Sequence, residues 1–253
     1  MASTVTYLWL SRVFLFYHLL LLLDLTSGFS IRQENKYVYI ACYKPALTLC
    51  SLTCDKERAV RKGRDIRQTL ADLSFPENLK DDLHIVGRLD RDSEGLLLLT
   101  NDGQFTAQVL SEDCHKTYWA LIKGKKNRRD EREVYYPPSD ISLSEMRKGG
   151  LEIRGAKTRP PISVNLMNDQ NSITKILPKP TLGMDRGTTS NSSTWLEVIL
   201  NEGRNRQVRK ITAYSGHKTI RLCRTAIGKF RLQHHQDLLV PGKWKFIQKE
   251  DVI

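Results

Sequence analysis

Cysteine is scarce in this chain, and its spacing excludes two common kinds of cross-link. The 253 residues contain five cysteines, which are Cys42, Cys50, Cys54, Cys114 and Cys223. An odd number with no pair of C-x-x-C motifs predicts neither a complete disulfide framework nor a structural zinc site. We therefore expect free thiols, no bound metal, and a fold that is stabilised by its own hydrophobic core.

Acidic residues are also in the minority. Lysine and arginine number 40 against 28 aspartates and glutamates, which gives a formal net charge of +12. Such an excess favours a polyanionic partner, because lysine and arginine contacts to phosphates release counterions. With 40% of its residues hydrophobic, the chain can bury the core of one large domain or of two tightly joined subdomains.

Long hydrophobic runs are missing except near the start of the chain, where residues 13 to 23 are largely apolar. That run is shorter than the ~20 residues that a membrane-spanning helix needs. A cleaved signal-like leader at residues 1–27 is therefore favoured over a retained hydrophobic anchor, and we expect no stable membrane anchor. Residues 28–36 are then a short transit portion or linker, and residues 37–253 form the folded domain.

Strand and helix patterns are interspersed along the rest of the chain without a fixed repeat. Patterns typical of strands occur at residues 36–45, 96–99, 115–124, 195–200, 230–233 and 243–247. Helical spacing occurs at residues 64–73, 104–110 and 202–214. Residues 178–194 are rich in proline, glycine, serine and threonine, which predicts a flexible loop. This mixture favours an α+β domain with a mixed, largely antiparallel central sheet and flanking helices.

Three neighbouring carboxylates, Asp90, Asp92 and Glu94, are open to several chemical interpretations. A calcium-binding loop is one, but its twelfth position is Asn101, where a bidentate glutamate is needed. A glycosidase-like carboxylate pair is another, although the basic surroundings suit an anionic polymer better than a neutral sugar. A third makes Asp90 a turn-forming residue beside Gly87.

Four motifs in order carry a resemblance to a known family. They are VGRLDRDSEGLLLLTNDG at 86–103, HKTYWA at 115–120, NEGRNRQVRKITA at 201–213 and TIRLCRTAIG at 219–228. Together they resemble the motifs of pseudouridine synthases of the RsuA/RluE branch, over about residues 37–248. The resemblance implies the pseudouridine synthase catalytic fold and the isomerisation of specific uridines in ribosomal RNA, with the large-subunit enzymes as the most similar members.

The resemblance also implies roles for individual residues. Asp90 is the catalytic carboxylate, and Arg209 is its basic partner. Tyr118 is the aromatic residue that stacks on the target base. Arg88 fills the space that the flipped nucleotide leaves, and Leu222 packs near the base.

Other basic residues are expected to contact the RNA backbone. Arg204, Arg206 and Lys210 belong to the same helical segment as Arg209, and their pattern is typical of a solvated or phosphate-binding helix face. Because the isomerisation gains and loses no atoms, no cofactor is implied, and we expect a monomer. The alternative function is a non-catalytic RNA-binding or ribosome-assembly protein with the same fold, whose signature would be loss of the catalytic aspartate.

The leader and the predicted RNA chemistry suggest an organelle reached through the secretory route. Ser-Gly-Phe-Ser at 27–30 resembles the cleavage region of two-part plastid leaders in algae with complex plastids. A plastid location is therefore the expectation. The alternative is the cytoplasm or the mitochondrion, if the leader is not used.

Overall fold

A computed structural model gives the structure of the chain and describes residues 37–75, 82–126, 135–168, 173, 177–179, 193–238 and 240–253. The strands are β1 (Tyr39–Lys44), β2 (His84–Val86), β3 (Glu94–Thr100), β4 (Lys116–Lys123), β5 (Lys125–Lys126), β6 (Tyr135–Tyr136), β7 (Glu152–Ile153), β8 (Ala156–Lys157), β9 (Ser163–Leu166), β10 (Ser193–Leu200), β11 (Thr219–Ile227), β12 (Phe230–Arg231) and β13 (Trp244–Phe246). The α-helices are α1 (Lys56–Arg61), α2 (Gly103–Leu110), α3 (Asp140–Arg147) and α4 (Gln207–Tyr214). Single turns of 3-10 helix lie at Leu70–Asp72, Leu232–His234, Gln236–Leu238 and Lys249–Asp251.

Within these ranges, nine strands form one mixed sheet. Its path runs β13-β1-β3-β11-β4-β10-β9, while β2 pairs with β3 and β12 pairs with β11. The pair formed by β3 and β11 is parallel, and the other described pairs are antiparallel. The predicted α+β fold with a mixed, largely antiparallel sheet is therefore confirmed.

Both faces of the sheet are covered at its centre. Every residue of β3 is buried, as expected where a strand has packing partners on both sides. Leu96 and Leu98 face a cluster that includes Phe105 of α2. Leu97 and Leu99 face the opposite cluster. The apolar run in the sequence is thus a central strand.

The predicted helix at residues 64–73 is wrong. Leu70 is buried as the pattern required, but Ile66 is 58% exposed. This segment uses its backbone differently, because the Leu49 N–H donates to the Gln68 carbonyl at 2.8 Å and the Leu70 N–H donates to the Leu49 carbonyl at 3.1 Å. Only Leu70–Asp72 forms a turn of 3-10 helix. Pairing with a distant segment has overridden the local helical spacing.

Other predicted elements are confirmed, including the helix at 104–110, which is α2, and the strand at 115–124, which is β4. Two are shorter than predicted: the helix at 202–214 begins only at Gln207, and the strand at 230–233 ends at Arg231. The predicted leader at 1–27, the linker at 28–36 and residues 180–192 of the predicted loop lie outside the described residues. In the part of the chain that the structure describes, no helix has both the length and the apolar character needed to cross a bilayer.

The parallel pairing of β3 with β11 depends on Gly95. Gly95 lies opposite Arg224 in the register, and its φ of +104° is rarely adopted by residues with a side chain. A Cβ atom at this position would lie 2.4 Å from the Arg224 carbonyl oxygen and 2.7 Å from the Cys223 sulfur. Glycine therefore allows the two strands to approach each other.

Substitution Gly95→Ala is expected to lower the free energy of unfolding by about 3 kcal/mol, through backbone strain and overpacking together. Chemical denaturation of the purified protein measures the change. Gly103→Ala is the matched control, because no atom lies within 4 Å of its Cβ position and the residue begins a helix. An equal loss in both variants would contradict the proposed role of the close approach.

Candidate active site

Asp90 lies in the turn that joins β2 to β3. Gly87 begins this turn with a φ of +69°, and the Ser93 N–H donates to the Asp90 carbonyl at 3.1 Å. The Cys50 thiol holds the preceding residue at both backbone groups, since the Leu89 N–H donates to the sulfur at 3.3 Å and the thiol donates to the Leu89 carbonyl at 3.2 Å. The Asp90 backbone is therefore fixed from both sides, while its side chain is 26% exposed.

Tyr118 and Leu222 come from two neighbouring strands. Tyr118 lies on β4 opposite Arg224 of β11, and Leu222 lies two residues before Arg224. Side chains two residues apart in a strand point to the same face, so Tyr118 and Leu222 share a face of the sheet. Both are buried in one cluster with Leu89 of the Asp90 turn and Val208 of α4.

Two arginines connect α4 to the Asp90 turn through Asp92. Arg206 donates to both carboxylate oxygens of Asp92 at 2.8 Å, and its Nη1 lies 3.7 Å from Asp90 Oδ2. Arg209 donates from Nη2 to the Asp92 carbonyl at 2.8 Å, and its Nε lies 3.5 Å from the Asp92 carboxylate. Asp92 thus binds both guanidinium groups at once.

The contacts of Arg209 differ from those expected. Within 4 Å, Asp90 forms an ion pair with Arg206, while Arg209 binds Asp92. The physical reason is position: Arg206 precedes the helix in a left-handed conformation with a φ of +54°, whereas Arg209 is one turn further and mostly buried. The predicted direct pairing of Arg209 with Asp90 is therefore corrected to a contact through the adjacent aspartate.

These contacts change the titration of the groups involved. Burial acts to raise the pKa of Asp92, but the hydrogen bonds from Arg206 and the positive charges of both arginines lower that pKa overall. Burial lowers the pKa of Arg209 although the charge of Asp92 opposes the change. Asp92 therefore acts as a charged anchor for both arginines.

A cleft of about 470 Å³ opens above these residues. Among its lining residues are six of the predicted site residues, which are Arg88, Asp90, Tyr118, Arg204, Arg206 and Leu222. Arg209 and Lys210 are not among the lining residues. Arg209 supports the wall from behind through Asp92, and Lys210 follows it on α4.

Sequence reasoning missed three cations that also line the cleft, which are Lys116, Arg154 and Arg224. Lys116 and Arg224 carry a detectable signal, because Lys116 precedes Tyr118 by two residues and Arg224 follows Leu222 by two residues. The period of a strand places each on the same face as a predicted site residue. Both lie within the motifs that carry the family resemblance.

The calcium-loop interpretation of this segment does not fit the structure. Glu94 is buried at the start of β3 and accepts hydrogen bonds from Arg221 at 2.5 Å and from Tyr43 at 2.9 Å. Asp92 is occupied by Arg206 and Arg209, so two of the proposed ligands already bind other groups. Across the described parts of the chain, no three histidine, cysteine, aspartate or glutamate residues are grouped as a metal site requires.

Comparison with known proteins identifies the family of the chain. A model of the RNA pseudouridylate synthase family matches residues 38–214. The chain belongs to this family. Its similarity to the large-subunit members is also direct, because it is 36% identical over 183 residues to the ribosomal large subunit pseudouridine synthase E of Vibrio vulnificus and 36% identical over 182 residues to that of Xanthomonas campestris. The resemblance that the motifs predicted is confirmed.

The matched segments cover most of this chain but not all of each relative. The Vibrio match spans 72% of this chain and 66% of the Vibrio protein, just under two thirds of it, and the Xanthomonas match spans 71% and 82%. A crystal structure of a pseudouridylate synthase has the same fold, with a TM-score of 0.59, 22% identity, and coverage of 85% of this chain and 72% of that one. The family model thus covers most of the residues that line the cleft, while Leu222, Arg224 and Ile227 lie beyond its last matched residue.

The backbone at Arg206 provides a test of the anchor formed with Asp92. Arg206→Gly and Arg206→Ala both remove the guanidinium group, but only glycine adopts the left-handed conformation without a steric cost. The free energy of unfolding of the glycine variant is expected to be about 1 kcal/mol higher than that of the alanine variant. Denaturation of both variants measures the difference, and equal stabilities would show that the left-handed backbone is not retained without the ion pairs.

Proposed function

We propose that this chain is a pseudouridine synthase that isomerises uridine in ribosomal RNA, with Asp90 as the catalytic carboxylate. The observation that carries the proposal is one cleft in which Asp90, Tyr118 and Leu222 converge from three separate segments. The names of the relatives point to RNA of the large ribosomal subunit as the substrate. Family membership supports catalysis over the alternative of a non-catalytic binding protein, because Asp90 is present and borders the cleft.

The charge of the cleft suits an RNA strand. Its lining contains six cationic side chains, which are Arg88, Lys116, Arg154, Arg204, Arg206 and Arg224. Asp90 is the only carboxylate among the described lining residues. Cationic walls attract the phosphates of the backbone, while the single carboxylate is left for the reacting nucleotide.

A uridine within folded RNA must leave its stack before the glycosidic bond is accessible, at a cost of a few kcal/mol. Tyr118 and Leu222 provide a buried aromatic and aliphatic surface against which the extruded base packs, and stacking of this kind contributes ~1–3 kcal/mol. Arg88 is exposed at the rim of the cleft. It is placed to occupy the vacated position in the RNA.

The chemistry begins at the glycosidic bond. Asp90 acts as an ionised carboxylate, either as a nucleophile at the ribose C1′ or as a base at C2′, and the N1–C1′ bond breaks. A guanidinium beside a carboxylate orients it, and Arg206 supplies one at 3.7 Å.

The detached uracil then turns within the cleft and forms a bond from C5 to C1′. On the nucleophilic route the bond between Asp90 and C1′ breaks and the carboxylate leaves; on the other route Asp90 returns its proton to C2′. The C5 proton leaves to Tyr118 or to water, and N1 gains a proton, so that no atoms are gained or lost overall. No redox or group-transfer cofactor is required by this balance.

Arg209 contributes from outside the cleft. It holds Asp92 by hydrogen bond and by charge, and Asp92 in turn holds Arg206. In this arrangement Arg209 is a positioning residue for Arg206. Arg204, which donates to Glu202 at 2.9 Å, and Lys210 remain proposed contacts to the RNA backbone.

The compartment is a separate proposal. The apolar run at residues 13–23 and the Ser-Gly-Phe-Ser segment at 27–30 support delivery to a plastid, with plastid ribosomal RNA as the substrate. Cytoplasm or mitochondrion is the alternative if the leader is not used. The monomeric state also remains a proposal.

Substitution Asp90→Asn is expected to abolish formation of pseudouridine, because the amide is neither a nucleophile nor a base of the required strength. Pseudouridines in total and organelle RNA are mapped at nucleotide resolution in cells that carry either the intact protein or the variant. Loss of at least one position from the variant cells identifies the reaction, the target and the compartment together.

Asp65→Asn is the control for this experiment, because Asp65 is exposed and its side chain lies outside the cleft. Every position must persist in cells with this variant. If no position is lost with Asp90→Asn while the variant still binds RNA, the chain is a non-catalytic RNA-binding protein.

A further inference from the structure

Lys116 and Arg224 lie on the same sheet face as the two residues proposed to contact the base. Arg224 is the partner of Tyr118 across the antiparallel pair β4–β11. Lys116 lies two residues before Tyr118 on β4, a distance of about 7 Å along a strand. The register of β11 shifts between Arg224 and Ala226, and irregularities of this kind redirect side chains beside active sites.

Arg224 has an unsatisfied hydrogen-bonding group. Its side chain is almost fully buried, with a relative exposure of 4%, yet it lines the cleft. Nε donates to the Leu96 carbonyl at 2.8 Å, which fixes the guanidinium plane. Nη2 has no hydrogen-bond partner in the described part of the chain. A buried charged donor without an acceptor is costly, so the fold retains a binding capacity here that the protein itself does not use.

Lys116 adds a second charge at the same wall. It is 5% exposed, lines the cleft, and donates to the carbonyls of Ser111 and Cys114. Burial lowers the pKa of Lys116, and the charge of Arg224 lowers it further. Among the residues that the structure describes, no carboxylate lies within 4 Å of either cation.

A third buried cation nearby does have a carboxylate partner. Arg221, three residues before Arg224 on the same strand, is as deeply buried but is paired with Glu94 at 2.5 Å and donates to the Pro178 carbonyl at 2.6 Å. Its charge is therefore neutralised within the protein. Within the described ranges, Arg224 and Lys116 have only neutral carbonyl partners, which leaves two buried positive charges that a bound anion can neutralise.

We propose that Arg224 and Lys116 form a subsite for one backbone phosphate of the RNA, adjacent to the uridine that packs against Tyr118. A guanidinium and an ammonium group together suit a phosphate, the former as a directed donor and the latter as a point charge. The subsite fixes the strand relative to Asp90. This inference rests on the proposed function for the identity of the ligand, although binding at the subsite does not require turnover.

The test measures binding with the Asp90→Asn protein, so that no reaction occurs. The probe is a single-stranded RNA nonamer with one central uridine among adenosines, which removes the need for base flipping. Each linkage in turn is replaced by an uncharged methylphosphonate. Affinities are compared in the Asp90→Asn background with and without the second substitution Arg224→Gln.

One linkage next to the uridine is expected to weaken binding at least about tenfold when it is neutral, and the same replacement is expected to have no effect once Arg224→Gln is present. Arg224→Gln itself is expected to reduce the salt dependence of binding by about one phosphate contact. Lys116→Met is expected to give the same pattern at the same linkage.

Arg231→Gln is the matched control, because Arg231 is exposed and lies outside the cleft. The change in affinity at each replaced linkage must be the same for this variant as for the Asp90→Asn protein alone. Arg224→Lys retains the positive charge, so a neutral phosphonate at the coupled linkage is expected still to weaken binding in part. This variant separates loss of charge from loss of folding.

The subsite is rejected if each neutral linkage weakens binding equally with and without Arg224→Gln. It is also rejected if the nonamer does not bind the Asp90→Asn protein. A coupled linkage found for a protein that forms no pseudouridine in cells would retain the subsite and reject the catalytic function instead. The two proposals therefore fail independently.

Discussion

The parallel contact between β3 and β11 is the constraint on which the site depends. It joins the half of the sheet that contains β13 and β1 to the half that contains β4, β10 and β9. Asp90 belongs to the turn before β3, whereas Tyr118, Leu222 and Arg224 lie on β4 and β11. The position of Asp90 relative to the proposed base-packing residues is thus set at a pairing only two residues long in its register, where Gly95 permits contact between backbones.

A second connection, between the Asp90 turn and α4, is electrostatic. Asp92 binds Arg206 and Arg209, and through them the turn after β2 is held to the start of α4. This arrangement gives two adjacent carboxylates different roles, one in binding arginines and the other in facing a substrate. Asp92 binds most of the guanidinium donors, so that Asp90 keeps a single arginine at 3.7 Å and stays open to a substrate.

Prediction from the sequence succeeded where a local pattern and a long-range contact agree. The run at 96–99 indicated a buried strand because β3 is covered on both faces, and Tyr118 could be assigned to a strand face because β4 alternates regularly. The helix prediction for residues 64–73 failed because Ile66 and Leu70 match helical spacing only by coincidence. The backbone there is paired with the segment around Leu49. The pairing of Arg206 with Asp90 was inaccessible for a related reason, since it follows from a left-handed backbone at Arg206 that no side-chain pattern encodes.

The placement of negative charge explains why the positive charges of the cleft have different roles. Glu94 neutralises Arg221, Asp92 occupies Arg206 and Arg209, and Glu202 accepts from Arg204. Of these arginines, Arg204 and Arg206 line the cleft, and their carboxylate partners hold them in its wall. Among the described residues, Arg224 and Lys116 have no such carboxylate, although Arg224 is paired with Tyr118 in the strand register and Lys116 lies two residues from it. Since a buried charge lowers its free energy most by acquiring a counter-charge, the anion that completes this wall is expected to arrive with the substrate.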